Sequence, residues 1–367
     1  NNPVRLLHRS GHACVLNSAA LALAGIDGST PEPLGAAIER DLTTGEPNGV
    51  LLNMNEAVDR VVPPLSEGEL EAAVREAGRR LLGYGVTFVQ DATHTNGLDD
   101  WRLMERLLES GAIRLRVSMM ECFEALGTLP ECGAGGRLTR GPVKVMPREL
   151  EHDFMPDAAE LASMLRRVRD VGRTAAVHAV TRRGVRTVLD AFESLGPSAM
   201  RHRLEHCGVC GPEEARRIAR LGLTVATQPG FLYENGDLMA QRVAAPDVPD
   251  LYPLRRLLDD GISMAGSSDA PVALPDPISG MRAAVQRRSR GGEVLAADQA
   301  VSAVEALALF TASAAAALGL AGERGRIRPG LSADLAVLSQ DPLSPGVDWD
   351  ALRVGMTIVD GEVDFEA

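Results

Sequence analysis

Lysine is almost missing from this chain. Of its 38 lysines and arginines, one is lysine, Lys144, and the rest are arginine. Arginine replaces lysine as a surface charge but not as an amine that must lose its proton, because a guanidinium stays charged in proteins. The retained position therefore points to a need for a primary amine. Burial disfavours the charged form of a lysine and lowers its pKa. The neutral amine then adds carbon dioxide and becomes a carbamate, a bidentate oxygen ligand able to bridge two metal ions.

A basic excess is missing too. With a net charge of -12, the surface repels phosphate and gains no affinity from counterion release, so neither nucleic acid nor an anionic membrane is expected as a partner. No apolar run approaches the length that spans a bilayer. The opening Asn-Asn-Pro-Val-Arg has no signal-peptide pattern, and a cytoplasmic location is the expectation. Cysteine is scarce and odd in number: Cys14, Cys122, Cys132, Cys207 and Cys210 suit free thiols better than a disulfide framework. Cys207 and Cys210 have the spacing of a redox or zinc pair, but no second Cys-x-x-Cys completes a structural zinc site. The Gly-Pro-Glu-Glu after them reads as a helix start, which predicts a lowered pKa for Cys210.

What is present is a repeated rhythm. Residues 1–66 stand outside it, with a loop, a short helix opened by Asn17 or Ser18 and stopped by Gly25, and then a stretch rich in Gly, Pro, Thr and Asn around one apolar island at 49–52. This part is expected to be an inserted lid or substrate-facing subdomain. From Ser66, a helical face of Leu70, Ala73, Val74, Ala77 and Leu81 gives way at Gly83 and Gly85 to a strand ending at Asp91. Helix, glycine stop and strand then recur, with strands expected near 113–119, 141–145, 175–180, 201–207, 223–228 and 262–269.

Seven strands alternating with helices predict an α/β fold with a parallel sheet. A closed (β/α)8 TIM-type barrel takes eight, and the absent one is expected to be the first. The division expected is 1–66 for the lid, 67–320 for the barrel with its strands two to eight, and 321–367 for the C-terminal part of a small β-sandwich. The remaining sandwich strands, like the first barrel strand, would lie upstream of Asn1.

All strand C-termini of such a barrel open on one face. Four expected strands carry metal-competent side chains there: Lys144, His178, His206 and Asp269. An amine, two imidazoles and a carboxylate make a mixed nitrogen and oxygen site suited to zinc or a neighbouring divalent ion. Singly each is a weak signal; their joint placement is the stronger one.

Eight stretches carry a family resemblance. They are Gly-His-Ala-Cys-Val-Leu-Asn-Ser-Ala-Ala-Leu at 11–21, Gly-Val-Thr-Phe-Val-Gln-Asp-Ala at 85–92, Val-Lys-Val at 143–145 and Val-His-Ala-Val at 177–180. Arg-His-Arg-Leu-Glu-His at 201–206, Gln-Pro at 228–229, Gly-Ser-Ser-Asp-Ala-Pro-Val at 266–272 and Pro-Gly-Leu-Ser-Ala-Asp-Leu-Ala-Val-Leu at 329–338 complete the set. Through them the chain resembles the amidohydrolase superfamily, specifically the family 3 group that contains N-substituted formamide deformylases.

The resemblance implies a barrel with one or two divalent ions, zinc foremost ahead of iron and manganese, that activates water for attack on a carbonyl or similar carbon. By position, Lys144 would be the carbamylated bridge, His178 and His206 would bind one ion, and Asp269 would bind the other and accept the proton of the attacking water. The activity expected is hydrolysis of an amide, formamide or related C–N bond of a small molecule. The alternative is a non-catalytic or truncated barrel acting as a binding protein.

Two departures stand out. The family's His-x-His pair on the first strand is not in this chain, and where the family reads His-Ala-Ile-Gly-Asp, residues 178–183 read His-Ala-Val-Thr-Arg-Arg. Substrate contacts are expected from His12, Glu56, His94 and Gln228, with Asp91 and the loop 233–235 beside them. His202 shares strand parity with His206 and is expected lower in the same interior. Arg287 and Arg288 read as solvated surface. A homodimer is compatible with these features.

Overall fold

The computed structural model describes residues 2–8, 11, 13–33, 35–149, 154–196 and 199–367, and the backbone alone of Glu56. They divide into two compact units, residues 1–70 with 270–273 and residues 71–269 with 274–367.

In the first unit, β1 (Arg5–Leu7), β2 (Ala13–Leu16), β3 (Ala37–Arg40) and β4 (Pro47–Leu52) form an antiparallel sheet in the order β1-β2-β4-β3. With α1 (Ser18–Ala24) and α2 (Asn55–Asp59) they enclose a small core of Cys14, Leu16, Ile38, Leu51, Met54 and Val58. Helix α1 begins and ends where the sequence predicts: the Asn17 side chain accepts from the Ala20 N–H, and Gly25 closes the helix at φ 66. Glycine takes that left-handed conformation without a Cβ penalty. The stretch thus holds an ordered four-stranded sheet, with its apolar island on β4.

The chain continues with α3 (Glu67–Gly83), β5 (Phe88–Asp91), α4 (Leu98–Glu109), β6 (Arg116–Cys122), β7 (Cys132–Gly133), β8 (Leu138–Val145), β9 (Arg148–Glu149) and β10 (Phe154–Met155). Next come α5 (Ala158–Asp170), β11 (Ala175–Ala179), α6 (Arg182–Glu193), β12 (Arg203–His206), α7 (Pro212–Leu221), β13 (Thr224–Thr227), α8 (Gly230–Arg242) and α9 (Leu254–Asp259). Then follow β14 (Met264–Gly266), α10 (Pro277–Gln286), α11 (Ala303–Phe310) and α12 (Ala312–Ala317).

Seven strands pair in parallel in the order β14-β13-β12-β11-β8-β6-β5. They are the seven that the alternation predicts, and the fold is of the (β/α)8 TIM type. The sheet is strongly curled, as one contact between distant strands requires. The Arg203 guanidinium on β12 donates to Gln90 on β5 at 2.5 Å, yet four strand spacings of about 4.8 Å would hold them some ~19 Å apart in a flat sheet. One face of the sheet packs on the helices: Val143, Val145, Val177, Leu204 and Val225 meet Leu161, Leu165, Val185 and Leu189.

The last residues form a three-stranded antiparallel sheet of β15 (Leu335–Leu338), β16 (Val354–Val359) and β17 (Glu362–Glu366). It is fastened to the barrel unit by a hydrogen bond from Thr357 Oγ1 to the Leu82 carbonyl at 2.6 Å and by Arg116 on Asp360 at 2.7 Å.

Two expectations need correction here. Residues 233–235 are not a loop but part of α8, a helix hidden in the sequence by Pro229, Gly230 and Gly236, which read as breakers. Gly236 is there for close packing, since a Cβ on it would stand 2.7 Å from that of Ser289. Arg287 is not solvated: it is 1% exposed and donates to the carbonyls of Leu251 at 2.7 Å, Tyr252 at 2.9 Å and Leu295 at 3.1 Å. Burial lowers its pKa to about 10, while its neighbour Arg288 is exposed as expected. Among the described residues no helix is long and apolar enough to cross a membrane.

Candidate active site

Side chains alternate between the two faces of a strand. Because Val143, Val145, Val177 and Leu204 face the helices, Lys144, His178 and Glu205 face the interior of the curl. The register sets Lys144 beside Cys122 and Ala176, and His178 beside Glu205. Alternation would send His206 outward after Leu204. Instead its backbone turns left-handed at φ 70, and its imidazole meets that of His178 with centroids 4.6 Å apart and planes at 75°. Asp269, three residues past β14, is left-handed too, at φ 53. Such conformations are uncommon outside glycine and concentrate at functional sites.

That turn is why parity misplaces His202. Its ring faces the helix layer, 5.4 Å from Phe192, and Nδ1 accepts the Ala175 N–H at 3.1 Å. Burial, reinforced by Arg169, lowers its pKa from the ordinary 6.5. The unfolded imidazole takes up a proton near 6.5 whereas the folded one does not. The unfolded state then binds more protons, and stability falls as the pH drops below that value. Urea midpoints measured from pH about 7.5 down to about 5.5 should decline, and His202→Gln should flatten the decline. An unchanged slope in the variant would rule His202 out as a cause.

Lys144 is 6% exposed. Burial drives its pKa down, against the pull of Glu205 and Asp269. Burial also lowers the pKa of His206, with Asp269 opposing, and raises that of Asp269, with His206 and Lys144 opposing. Lys144, His206 and Asp269 therefore share one electrostatic environment, and His178 joins it through its ring contact with His206. His206 Nδ1 lies 2.8 Å from Gln228 Oε1, while Gln228 Nε2 donates to Ser267 Oγ at 2.8 Å and to the Ala226 carbonyl at 3.3 Å. The amide orientation fixes the tautomer: Nδ1 donates, and Nε2 keeps its lone pair. Gln228, expected against substrate, is buried against His206 and orients it.

This donor set fits a divalent cation in its chemistry: adjacent imidazoles, one of them held with Nε2 unprotonated, beside a carboxylate and an amine inclined to be neutral. Among the described residues, no three His, Cys, Asp or Glu groups stand together at ligand spacing.

One member of the site was not anticipated. Glu205 accepts from Arg203 Nε at 2.5 Å, and both side chains are 7% exposed. Burial pushes the Glu205 pKa up, but Arg203 and Lys144 outweigh it and hold the carboxylate ionised. Gln90 completes the layer by donating to Ser118 Oγ at 2.9 Å. Gly141 lies beneath this layer, where a Cβ would come within 2.8 Å of Gln90 Nε2. Only the Arg-x-Glu pair on β12 hinted at it. Glu205→Leu leaves the guanidinium buried without a counter-charge and should lower unfolding free energy by about 3 kcal/mol in urea titrations. A change below about 1 kcal/mol would mean that the pair carries little of the fold.

His94 lies exposed on the turn after β5, and Asp91 accepts the Thr93 N–H at 2.8 Å. His12 and the Glu56 side chain lie outside the described residues. The departure at 181–183 forms rim contacts. Arg182 pairs with Asp250 at 2.6 Å and with Asp247 at 2.8 Å, Arg183 with Glu149 at 3.1 Å, and Thr181 caps α6. All five cysteines are unbridged. Helix α7 starts where predicted, but the pKa of Cys210 is raised, not lowered, by the thiol of Cys207 and by burial.

A curled parallel sheet with ionisable groups gathered at its strand ends places this molecule among the α/β-barrel enzymes. A profile of the amidohydrolase family matches residues 1–365, and the chain belongs to that family, which makes it a hydrolase. It is 28% identical over 395 residues to the amidohydrolase YtcJ of Bacillus subtilis and 29% identical over 406 residues to an N-substituted formamide deformylase of Arthrobacter pascens. Each alignment covers 100% of this chain and 74% of the relative. Among solved structures, a metal-dependent hydrolase of Pyrococcus horikoshii shares the fold, with a TM-score of 0.76 and 23% identity over 95% of this chain and 74% of that one.

Proposed function

We propose that this protein hydrolyses an amide, formamide or related C–N bond of a small molecule, with one or two divalent ions, zinc foremost, held by Lys144, His178, His206 and Asp269. The observation that carries this is the electrostatic coupling of Lys144, His206 and Asp269 at the strand ends, with the His178 ring against that of His206. The name of the Arthrobacter pascens relative supports a formamide substrate. A divalent ion in such a donor set lowers the pKa of water and polarises a carbonyl.

The chain's own groups do the rest. Gln228 orients His206, so its Nε2 lone pair faces away from the amide. The amine of Lys144, disfavoured as a cation by burial, adds carbon dioxide. The Nζ–C bond forms, one C=O electron pair moves onto oxygen, and the Nζ proton leaves to solvent. Asp269 takes a proton from the attacking water and delivers it to the leaving nitrogen, which carries away the electron pair of the C–N bond.

The test uses purified protein loaded with zinc, manganese or ferrous iron and assayed against N-alkyl and N-aryl formamides and the matching acetamides. Amine release that disappears on chelation is expected. No release with any of the three ions, together with no bound divalent ion, would replace this activity with that of a non-catalytic binding barrel.

A further inference from the structure

The segment between α8 and α9 holds a strained, buried group that the chemistry above does not use. Tyr252 is 2% exposed and left-handed at φ 42, which for a bulky residue marks strain imposed by its surroundings. Those surroundings are specific. Its N–H donates to the Gly208 carbonyl at 2.8 Å, and its carbonyl accepts from Arg287 Nη1 at 2.9 Å. Its ring stands edge-on to Phe231 with centroids 6.0 Å apart. Arg287, itself buried and left-handed at φ 53, fixes the backbone that aims the ring.

The phenol end is different. Among the described residues its hydroxyl makes no hydrogen bond. It lies over the turn that follows His206, where a Cβ on Gly208 would stand 3.5 Å from Oη, and it feels the charge of Asp269. The hydroxyl is therefore a donor left open beside the strand ends, not one sealed away from water. A strained backbone and a buried arginine hold that donor in place, ready for an acceptor that arrives with the substrate.

We infer that Tyr252 is a further catalytic residue, whose hydroxyl donates a hydrogen bond to the carbonyl oxygen of the scissile group as that oxygen gains negative charge. This rests on the C–N hydrolysis proposed above. Burial, with Asp269 and Cys207 adding to it, raises the pKa of the phenol and keeps it a donor. A preorganised donor acts most strongly where charge develops, so its effect falls on turnover more than on binding.

The test is Tyr252→Phe in the metal-loaded protein, with thermal melting of the metal-free protein beside it. The inference requires kcat to fall roughly 100-fold with KM within about threefold, and a Tm equal to or above that of the wild type, because the lost hydroxyl bonds to nothing in the fold. Acetohydroxamate, an oxygen-rich mimic of the charged group, should bind about tenfold more weakly. Wild-type turnover with unchanged kcat in the variant overturns the inference and leaves C–N hydrolysis standing. A lower Tm overturns it as well, by showing that the hydroxyl is a structural contact. If the wild type cleaves no C–N bond, weaker acetohydroxamate binding by the variant still supports Tyr252 as the donor of this pocket, and equal binding removes it.

Discussion

Lys144→Arg should lose turnover by on the order of 10³-fold or more, because several kcal/mol of charge stabilisation at the reacting carbonyl depend on the ions this residue would bridge. The amine is the chemical requirement. Arginine keeps the positive charge and a comparable length, but it cannot become neutral and so cannot add carbon dioxide. It would also fix a second guanidinium beside Arg203, in a layer already balanced by Glu205. Circular dichroism should report an intact fold, while plasma emission spectrometry should find bound divalent ion reduced. Recovery of metal-stripped wild type should be faster with added bicarbonate than in carbon-dioxide-free buffer. A variant that keeps more than about a tenth of wild-type activity would end the carbamate proposal.

Asp269→Asn should keep metal but lose 10²- to 10⁴-fold, roughly the share attributed to a positioned general base. Its pH signature follows from its surroundings. Burial raises the carboxyl pKa above the ordinary 3.8, partly offset by His206 and Lys144. A base works only when deprotonated, so activity should fall as the pH drops through that raised value, on an acid limb displaced toward neutrality. The limb should vanish from the residual activity of the asparagine variant. Near-normal turnover would exclude Asp269 from the reaction. Thermal stability should not suffer, because the substitution removes a buried charge that the fold already disfavours.

Much of this architecture was legible because parallel strands buried on both faces announce themselves as apolar runs with glycine stops, and Lys144 stood out through the scarcity of its kind. The first unit was harder to read. Its strands hold three to six residues, too few for periodicity to separate strand from loop. Strand-end position led to His178, while parity misplaced His202 for one reason. A left-handed residue at the end of β12 reverses which face a side chain occupies, and φ is not written in the residue names. Glu205, hinted at only by its local pairing with Arg203, and Tyr252 were missed for another reason. The site roles of both depend on groups distant in sequence, Lys144 for Glu205 and Asp269 for Tyr252, and only the folded chain brings these together.

The scarcity of lysine has a practical side. The single lysine is sealed inside the barrel at 6% exposure, so reagents that acylate primary amines find no lysine on the exterior. Acylation located at Lys144 by mass spectrometry would instead report an excursion that opens the strand-end mouth. Its rate gives a clock for that motion without any engineered label.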